Sequence, residues 1–522
     1  MADEFAVQAS LGALTAPSAA TGIALDLPLS PPRSAATARL GLCYLCVALL
    51  LRGLTLGSPA LHIDEQFYLL VGDRLLHGAL PYVDIWDRKP IGLFILFAAI
   101  RLLGGTGILQ YQVAAMACAA ATALTVNRIA RAIAPPAGAW WAGVGYLLYL
   151  SAYNCFGGQA PVFYNLLVAL AAWQMCRIVT EPPSPGLVAR GIGVMALIGV
   201  SIQIKYTVVF EGIAFGLCLL ARARADGFAP LRLAVAALAW VGVALVPTVL
   251  ALATYVWLGQ GAAFIYANFT SIFQRGGDGG QQWGRLVREM AALVPFWLAI
   301  FHAPRRPLPV VAGSNPAALP FLRIWAIAAV AGFLLFGTWY DHYVAPLLPP
   351  LAVLTAPALV SPSGRQRIYG RLLIGFGVIA AAYLTRYEMS RHADRTEVYR
   401  LAHLIQSHGG NGCVYLNEGD PVLYLMTHSC LVTPWIFPNH LAGMVDAGSL
   451  GVNVNQEVAR IMASRPSVVM IGAKPSSKPV NWQSRAIILH ALARDYTRFA
   501  VAPAGNRQFL LYRLKVPNPN LR

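Results

Sequence analysis

Charge is scarce in this sequence, and negative charge scarcest: Asp and Glu number 22 against 39 Lys and Arg, and charged residues make up 12% of the 522. So little charge excludes an ordinary water-soluble surface. A glycine-rich phosphate loop following a strand is missing, which excludes the nucleotide-binding modules built on one. No aromatic–basic nucleic-acid module is present, so the net charge of +17 does not point to nucleic acid as a partner. No internal repeat is evident, which argues against a transporter built from inverted repeats. Residues 1–36 are rich in Ala, Ser, Pro and Thr, with no basic region leading into a continuous apolar one. They read as a disordered cytoplasmic tail rather than a signal peptide. Cys43 and Cys46 lie in an apolar span without other ligand types nearby, and read as small packing residues.

What is abundant is apolar: 57% of the residues are hydrophobic and mean hydropathy is +0.58. The runs are long enough to cross a bilayer, so the chain is mainly α and polytopic. Candidate spans cover 38–57, 109–131, 137–153, 160–179, 187–203, 205–221, 231–257, 286–303, 319–338, 342–360 and 368–385. The piece 91–103 is short and interrupted by Arg101, and reads as a helix that dips without crossing. Arg52, near the outer end of the first span, is expected to snorkel to the interface. Arg128, Arg131, Arg177, Arg190, Arg222, Arg224, Arg305, Arg306, Arg365, Arg367 and Arg371 then all fall on the cytoplasmic side. The expected architecture is a bundle of about 11 spans over 37–385, with outer loops 58–90 and 258–285.

The first outer loop concentrates the charge. Asp64, Glu65, Asp73, Arg74, Asp84, Asp87, Arg88 and Lys89 all lie between 61 and 96. One charge at bilayer centre costs about 2.5–3.5 kcal/mol on insertion scales, so this stretch is aqueous and pressed against the membrane. Two amphipathic pieces are expected, 64–77 and 82–88, the first lying along the interface. Adjacent residues on a helix diverge by about 100°, so Asp64 and Glu65 cannot both address one atom. One carboxylate, desolvated and raised in pKa, would serve as general base while the other braces the fold. The competing reading is a salt bridge to Arg74, Arg88 or Lys89. Lys89 sits at headgroup depth, either to meet a lipid phosphate or as an interfacial anchor. His342 and Tyr343 open a late span on the same face, as donors to phosphate or sugar or as structural hydrogen-bonders. Lys205 and Glu211 are six apart, not a facing helical spacing, yet an intramembrane Glu is a functional candidate.

The loop 258–285 has a Gly-rich centre from Arg275 to Gly280 that includes Asp278, and reads either as a connector or as a mobile lid. From 386 to 522 no membrane-length run remains. Segments 413–417, 430–434, 467–473 and two near the end read as strands, and 455–464 and 485–494 as helices: a small α/β domain on the outer face. Cys413 and Cys430, both there, are candidates for a disulfide in an oxidising compartment, with two separate buried thiols as the alternative.

An outer Asp64-Glu65 after the first span, then Tyr82-x-Asp84-x-Trp86-Asp87-x-Lys89-Pro90, then His342-Tyr343-x-x-Pro346-x-x-Pro349 before a late span, then a soluble outer domain, together resemble a known family. They are similar to the GT-C superfamily of membrane glycosyltransferases. The nearest branch is the bacterial one related to protein O-mannosyltransferases and lipid A aminoarabinose transferases (family 39-like). The resemblance implies a polyprenyl-phosphate sugar donor, used at the outer face of the bacterial inner membrane with inversion. The acceptor is a glycan, lipid or protein hydroxyl, and membrane lipids surround the site. It implies Asp64 as catalytic acid or base with Glu65 beside it. Lys89, with Arg88, would meet donor phosphate, and His342 and Tyr343 would lie near the donor. The family often carries a second acid in the next outer loop; here 154–159 has none, with Gln159 and Asn154 as possible sugar ligands. No metal or other cofactor is therefore expected to be required, with a divalent ion left open.

Two competing functions are a non-catalytic lipid-linked-sugar transporter or flippase, and an O-antigen polymerase or ligase. The first needs a charged path through the spans, whereas the charges here cluster at one face. The second usually depends on a large late outer loop. The topology is directly testable. Reporter fusions after Arg131 and Arg222 should report cytoplasm, and one after Arg400 the outer compartment. A cytoplasmic signal at Arg400 would remove both the topology and the shared face of the site.

Overall fold

The computed structural model describes residues 33–303, 315–335, 337–409 and 412–515. Most of the expected tail and the pair Arg305-Arg306 lie outside them. Met1–Leu40 is a compact unit by itself, represented by the start of the first helix; everything below concerns Gly41–Arg522. In chain order the helices are α1 (Arg33–Arg52), α2 (Ile63–Leu76), α3 (Ile91–Arg101), α4 (Ile108–Ala130), α5 (Pro136–Ala152), α6 (Ala160–Thr180), α7 (Leu187–Ile202), α8 (Val209–Ala225), α9 (Pro230–Trp257), α10 (Gly261–Ile265), α11 (Gln281–Ala292), α12 (Val294–Phe301), α13 (Leu319–Leu335), α14 (Leu348–Leu359) and α15 (Gly364–Arg391). Among the described residues, seven helical stretches are long and apolar enough to cross a membrane. The chain is a polytopic membrane protein whose outward faces carry bare Leu50, Leu54, Leu238, Val241, Ile327 and Ile379, a surface that suits lipid and not water.

Helix α4 packs on α5, α6 and α14, α7 on α9, and α8 on α13. Small residues permit close approach: a Cβ on Gly199 would stand 2.6 Å from the Ala244 carbonyl oxygen. At one end of the bundle Arg222 donates to the Glu181 carbonyl at 2.9 Å, and Asn315 bonds to the Ala132 and Thr180 carbonyls. The basic helix ends near Arg128, Arg131, Arg177 and Arg222 thus gather away from the loop that holds Asp64.

Four expectations change. Arg52 does not snorkel; it is 1% exposed and donates to the Cys155 carbonyl at 2.6 Å, holding the second outer loop. Residues 82–88 are not helical. Asp84 accepts the Leu80 N–H at 2.7 Å, Tyr82 N–H donates to the Ile85 carbonyl at 2.7 Å, and Tyr82 has φ 71°, so the segment closes as a turn. Helix α2 presents no amphipathic surface over its middle: every residue from Glu65 to Asp73 is buried. The expected span 286–303 is broken into α11 and α12 at Leu293, where Pro295 removes a backbone donor from the ladder. Helix α3 has 11 residues. At about 1.5 Å each it is far shorter than a hydrocarbon core of roughly 30 Å, as expected of a non-crossing piece.

The carboxyl-terminal layer comprises α16 (Arg395–Gly409), β1 (Val414–Leu416), α17 (Val422–Thr427), α18 (Pro438–Ala442), α19 (Val454–Ala463), β2 (Val468–Gly472), α20 (Trp482–Asp495), β3 (Tyr496–Ala504) and β4 (Arg507–Leu514). The sheet order is β1-β2-β4-β3, with β1 parallel to β2 and the other pairs antiparallel. The expected strand 430–434 forms only a bridge, Leu431 to Val414, because the chain turns through Pro434 with Thr433 tied to Glu457. Cys413 and Cys430 are joined by a disulfide, with Cα atoms 4.8 Å apart.

This layer is locked to the first outer loop. Trp86 lies inside its core with Tyr415, Leu441, Val458 and Ile471. Trp86 N–H donates to the Pro434 carbonyl at 3.0 Å, Arg74 to the Ser429 carbonyl at 2.6 Å, and Phe67 meets Phe437 edge-on at 5.3 Å.

The cysteines are 17 residues apart, so closing that loop contributes about 3 kcal/mol in the chain-entropy model. Alkylation without reductant should leave Cys413 and Cys430 unmodified, and reduction should lower the melting temperature. Two modified cysteines in the folded, unreduced protein would remove the bridge.

Candidate active site

The site begins at the amino terminus of α2. His62 is its N-cap, its Nδ1 accepting the Asp64 N–H at 3.3 Å. The Gln159 amide also donates to that nitrogen, which leaves Nε2 as the protonated position of a neutral ring. Gln159 caps α6 and is fully buried, so the second outer loop reaches the first through an amide–imidazole contact. From the other side a 3₁₀ turn, Asp341–Leu347, delivers His342, whose Nε2 is 3.8 Å from Asp64 Oδ2. That turn is held by Asn165 on the Ala345 carbonyl at 2.9 Å and by Asn154 on Asp341 at 3.3 Å.

The two carboxylates diverge as helical geometry requires. Asp64 faces His62, His342, Lys89 and Lys205. Burial pushes its carboxyl upward, but Lys89, the two imidazoles and Lys205 outweigh this and hold it well below the usual range. Glu65 turns the other way, under Gly157 and Gly158, and neither of its oxygens has a well-formed hydrogen bond. Burial pushes it up to about 7, against the Gly158 N–H, Arg52 and the Tyr111 hydroxyl. The raised carboxylate expected from the sequence is therefore Glu65, remote from the cluster. Asp64, which faces the cluster, is a persistent anion.

Lys89 stands 5.2 Å from the Tyr68 ring and 4.0 Å from Asp87. Burial lowers its ammonium, yet Asp87, Tyr68 and Asp64 raise it further, so it stays charged. Lys205 lies over the Tyr343 ring at 4.5 Å. Lys205 lines a cavity of about 30 Å³ together with Tyr68 of α2, Gln159, Glu211 of α8, His342 and Tyr343. Glu211 accepts the Trp325 indole N–H at 3.3 Å, the partner that its sequence position did not disclose.

The remaining expected residues sit elsewhere. Arg88 ends on Asp446 at 2.8 Å and Ser449 at 2.7 Å, and Arg275 donates to the same Asp446 oxygen at 2.9 Å. Burial raises the Asp446 carboxyl, and the two guanidinium groups overcome that and hold it far below normal. Asp278 pairs with Arg285, whose guanidinium covers Tyr340 at 4.6 Å and whose Nε reaches the Thr338 carbonyl at 3.0 Å. The loop 258–285 is thus built from short helical turns pinned by ion pairs. Sequence reasoning passed over His62 and Asp446. The first stands two residues before the acidic pair, a signal that was available; the second had none.

His62, Asp64 and His342 each offer one ligand atom, all within 4.8 Å of one another. Two imidazoles and a carboxylate are a donor set for a divalent transition ion.

Gly157 has no room for a side chain, because a Cβ there would run into the Glu65 carboxylate. Gly157→Ala should cost about 1–3 kcal/mol of stability, as overpacking does. Adding Glu65→Ala should make the double variant lose less than the sum of the singles. Additive losses in detergent melts would separate the two residues.

No family model matches the chain, and no curated protein matches it in sequence. Its fold does have solved counterparts. ArnT from Cupriavidus metallidurans bound to undecaprenyl phosphate superposes with TM-score 0.58 at 16% identity, over 92% of this chain and 97% of that one. The archaeal oligosaccharyltransferase AglB from Archaeoglobus fulgidus, in complex with an inhibitory peptide and a dolichol-phosphate, gives 0.53 at 10% identity, over 84% and 70%. The mycobacterial arabinofuranosyltransferase AftD gives 0.50 at 12% identity, over 94% of this chain but 42% of that one. Such a likeness establishes architecture: this chain is a polytopic membrane protein with the GT-C fold.

Proposed function

We propose that this protein is an inverting glycosyltransferase that moves a sugar, hexosyl or pentosyl, from a polyprenyl-phosphate carrier to an acceptor hydroxyl. The observation that carries the reading is the anion–cation arrangement around Asp64. One persistent carboxylate faces Lys89, Lys205 and His342, and the last two also line a cavity between membrane helices. The fold is that of proteins solved with undecaprenyl phosphate and dolichol-phosphate, which supports a lipid-linked donor.

The cations bind the carrier phosphate and stabilise the negative charge that grows on it as the anomeric C–O bond breaks, the electron pair leaving with the phosphate. The acceptor oxygen attacks the opposite face, and Asp64 takes its proton. A carboxylate of low basicity is a weak base toward a neutral hydroxyl. It becomes competent late in the reaction, once the attacking oxygen has begun to bond and its proton has become acidic. The fixed negative charge also favours positive charge developing at the anomeric carbon. His62 and Gln159 hold the aspartate end of α2 in place. A divalent ion held by His62, Asp64 and His342 would supply further positive charge toward the phosphate.

The bundle 37–385 forms the catalytic part, and 386–522 a periplasmic domain on the outer face of a bacterial inner membrane. The basic helix ends at the far side of the bundle and the disulfide support that orientation. The acceptor is a cell-envelope glycan, lipid A or its core, or a protein.

Asp64→Asn should insert, fold and bind donor, and lose transfer by at least about 10²-fold. Lys89→Ala should weaken donor binding and slow transfer, because the cation meets phosphate in ground and transition states alike. Radiolabelled transfer per folded molecule in proteoliposomes, with donor affinity measured separately, reads both. Near-normal turnover of folded Asp64→Asn would eliminate the mechanism. Carrier flipping without transfer would make the protein a transporter.

A further inference from the structure

A second recess lies in the carboxyl-terminal layer, away from Asp64. It is a groove of about 490 Å³ where the amino termini of α19 and α20 converge beside the segment 444–448. Its floor and walls carry Trp482, Met444 and four amides, Asn453, Asn455, Asn481 and Gln483. No Asp, Glu, Lys, Arg or His is among its described lining residues. Trp482 is 66% exposed and Met444 47% exposed, in a layer that buries Trp86. An indole left in water next to a recess has a large apolar face available for a ligand.

The amides are ordered. Asn481 Nδ2 donates to Asn455 Oδ1 at 3.2 Å, and Asn455 Nδ2 to Gln483 Oε1 at 2.8 Å. The side-chain oxygens of Asn453 and Asn481 cap α19 and α20, accepting from Gln456 N at 3.1 Å and Ser484 N at 3.0 Å. Helix capping and the relay fix which way each amide turns, and they engage the oxygens, not the amide nitrogens, of the groove-lining Asn453 and Gln483. A flat apolar ring beside oriented, uncharged donors and acceptors matches a sugar ring. The ring presents an apolar C–H face on one side and hydroxyls around its edge. The absence of a cation argues against a phosphate headgroup.

We infer that this groove is a binding subsite for uncharged carbohydrate, which stacks on Trp482 and pairs its hydroxyls with the Asn and Gln amides. Resting on the glycosyltransferase reading, its occupant is the hydroxyl-rich part of the acceptor. The groove is continuous with the elements around the active site. Val445, in the wall segment, accepts the Gly276 N–H of the loop 258–285 at 2.8 Å. Its neighbour Asp446 holds Arg88, next to Lys89. An acceptor glycan lying there is therefore held by the same segment that fixes both outer loops.

The test uses the full chain in nanodiscs and a panel of neutral hexasaccharides built of glucose, mannose or galactose, read by saturation-transfer NMR. At least one should bind the wild type. Trp482→Ala and Asn455→Ala should each weaken that binding by about tenfold or more, while Asp64→Asn leaves it unchanged. Melting temperatures of the two groove variants should stay near wild type, and Trp482→Phe should restore part of the binding. No binding of any hexasaccharide, or equal binding by wild type and Trp482→Ala, overturns the subsite. Binding of phosphatidylglycerol vesicles that Trp482→Ala abolishes makes the groove a lipid contact instead and also overturns it. Loss of transfer activity in Asp64→Asn bears on the glycosyltransferase reading alone, so the two claims fail separately.

Discussion

Two arginines from different outer loops share one buried aspartate oxygen of a third element. Asp446 accepts from Arg88 at 2.8 Å and from Arg275 at 2.9 Å, and the seating of both loops on the carboxyl-terminal layer depends on that junction. Three charged groups are withdrawn from water together, which is tolerable only because each finds its counter-charge; removing one partner of such a group typically costs about 3–5 kcal/mol. The junction fixes the end of the first loop one residue before Lys89. Trp86, two residues further back, is buried in the carboxyl-terminal core. Lys89 thus stands on a loop clamped at two points, which is what placing an ammonium at a set depth requires.

The acidic pair shows how one helix turn separates two chemistries. Asp64 looks toward four cationic or ionisable groups and remains charged; Glu65 looks into a glycine-lined recess and has its pKa raised by burial. Nothing in their adjacency says which is which. The direction is set by where α2 is pinned, through His62 at its N-cap, Gln159 behind it, and α17 and Phe437 on its outer side. Two imidazoles likewise approach Asp64, His62 from the cap of its own helix and His342 from a distant part of the chain.

Much was legible in the chain itself because lipid leaves few options. A backbone within the bilayer must satisfy its own hydrogen bonds, so apolar runs of sufficient length are helices. A short run such as Ile91–Arg101 is then also a helix, only 11 residues long. The apolar run 467–473 survived as a strand buried on both faces, and the last strand and the helical periodicity of 455–464 survived because each buries one face locally. The misread pieces were decided by side-chain and backbone bonds that periodicity does not register. Residues 82–88 form a turn held by Asp84, Arg52 is drawn inward by the Cys155 carbonyl, and 430–434 is diverted by Glu457 and Pro434.

The sequence by itself determined the membrane bundle, the charge-rich first loop, the residues Asp64, Lys89, His342 and Tyr343 as chemistry worth locating, and a terminal α/β layer without membrane-length runs. Composition and periodicity are local properties, and the bilayer and the pleat convert them directly into structure. Only the tertiary structure decided that Asp64 rather than Glu65 faces the cluster. It also decided that Arg88 and Arg275 serve Asp446, that His62 joins His342, and that Trp482 stands bare beside a set of amides. Each of these depends on pairs of residues tens to hundreds of positions apart. The sign and distance of a charge interaction exist only once the chain has brought them together.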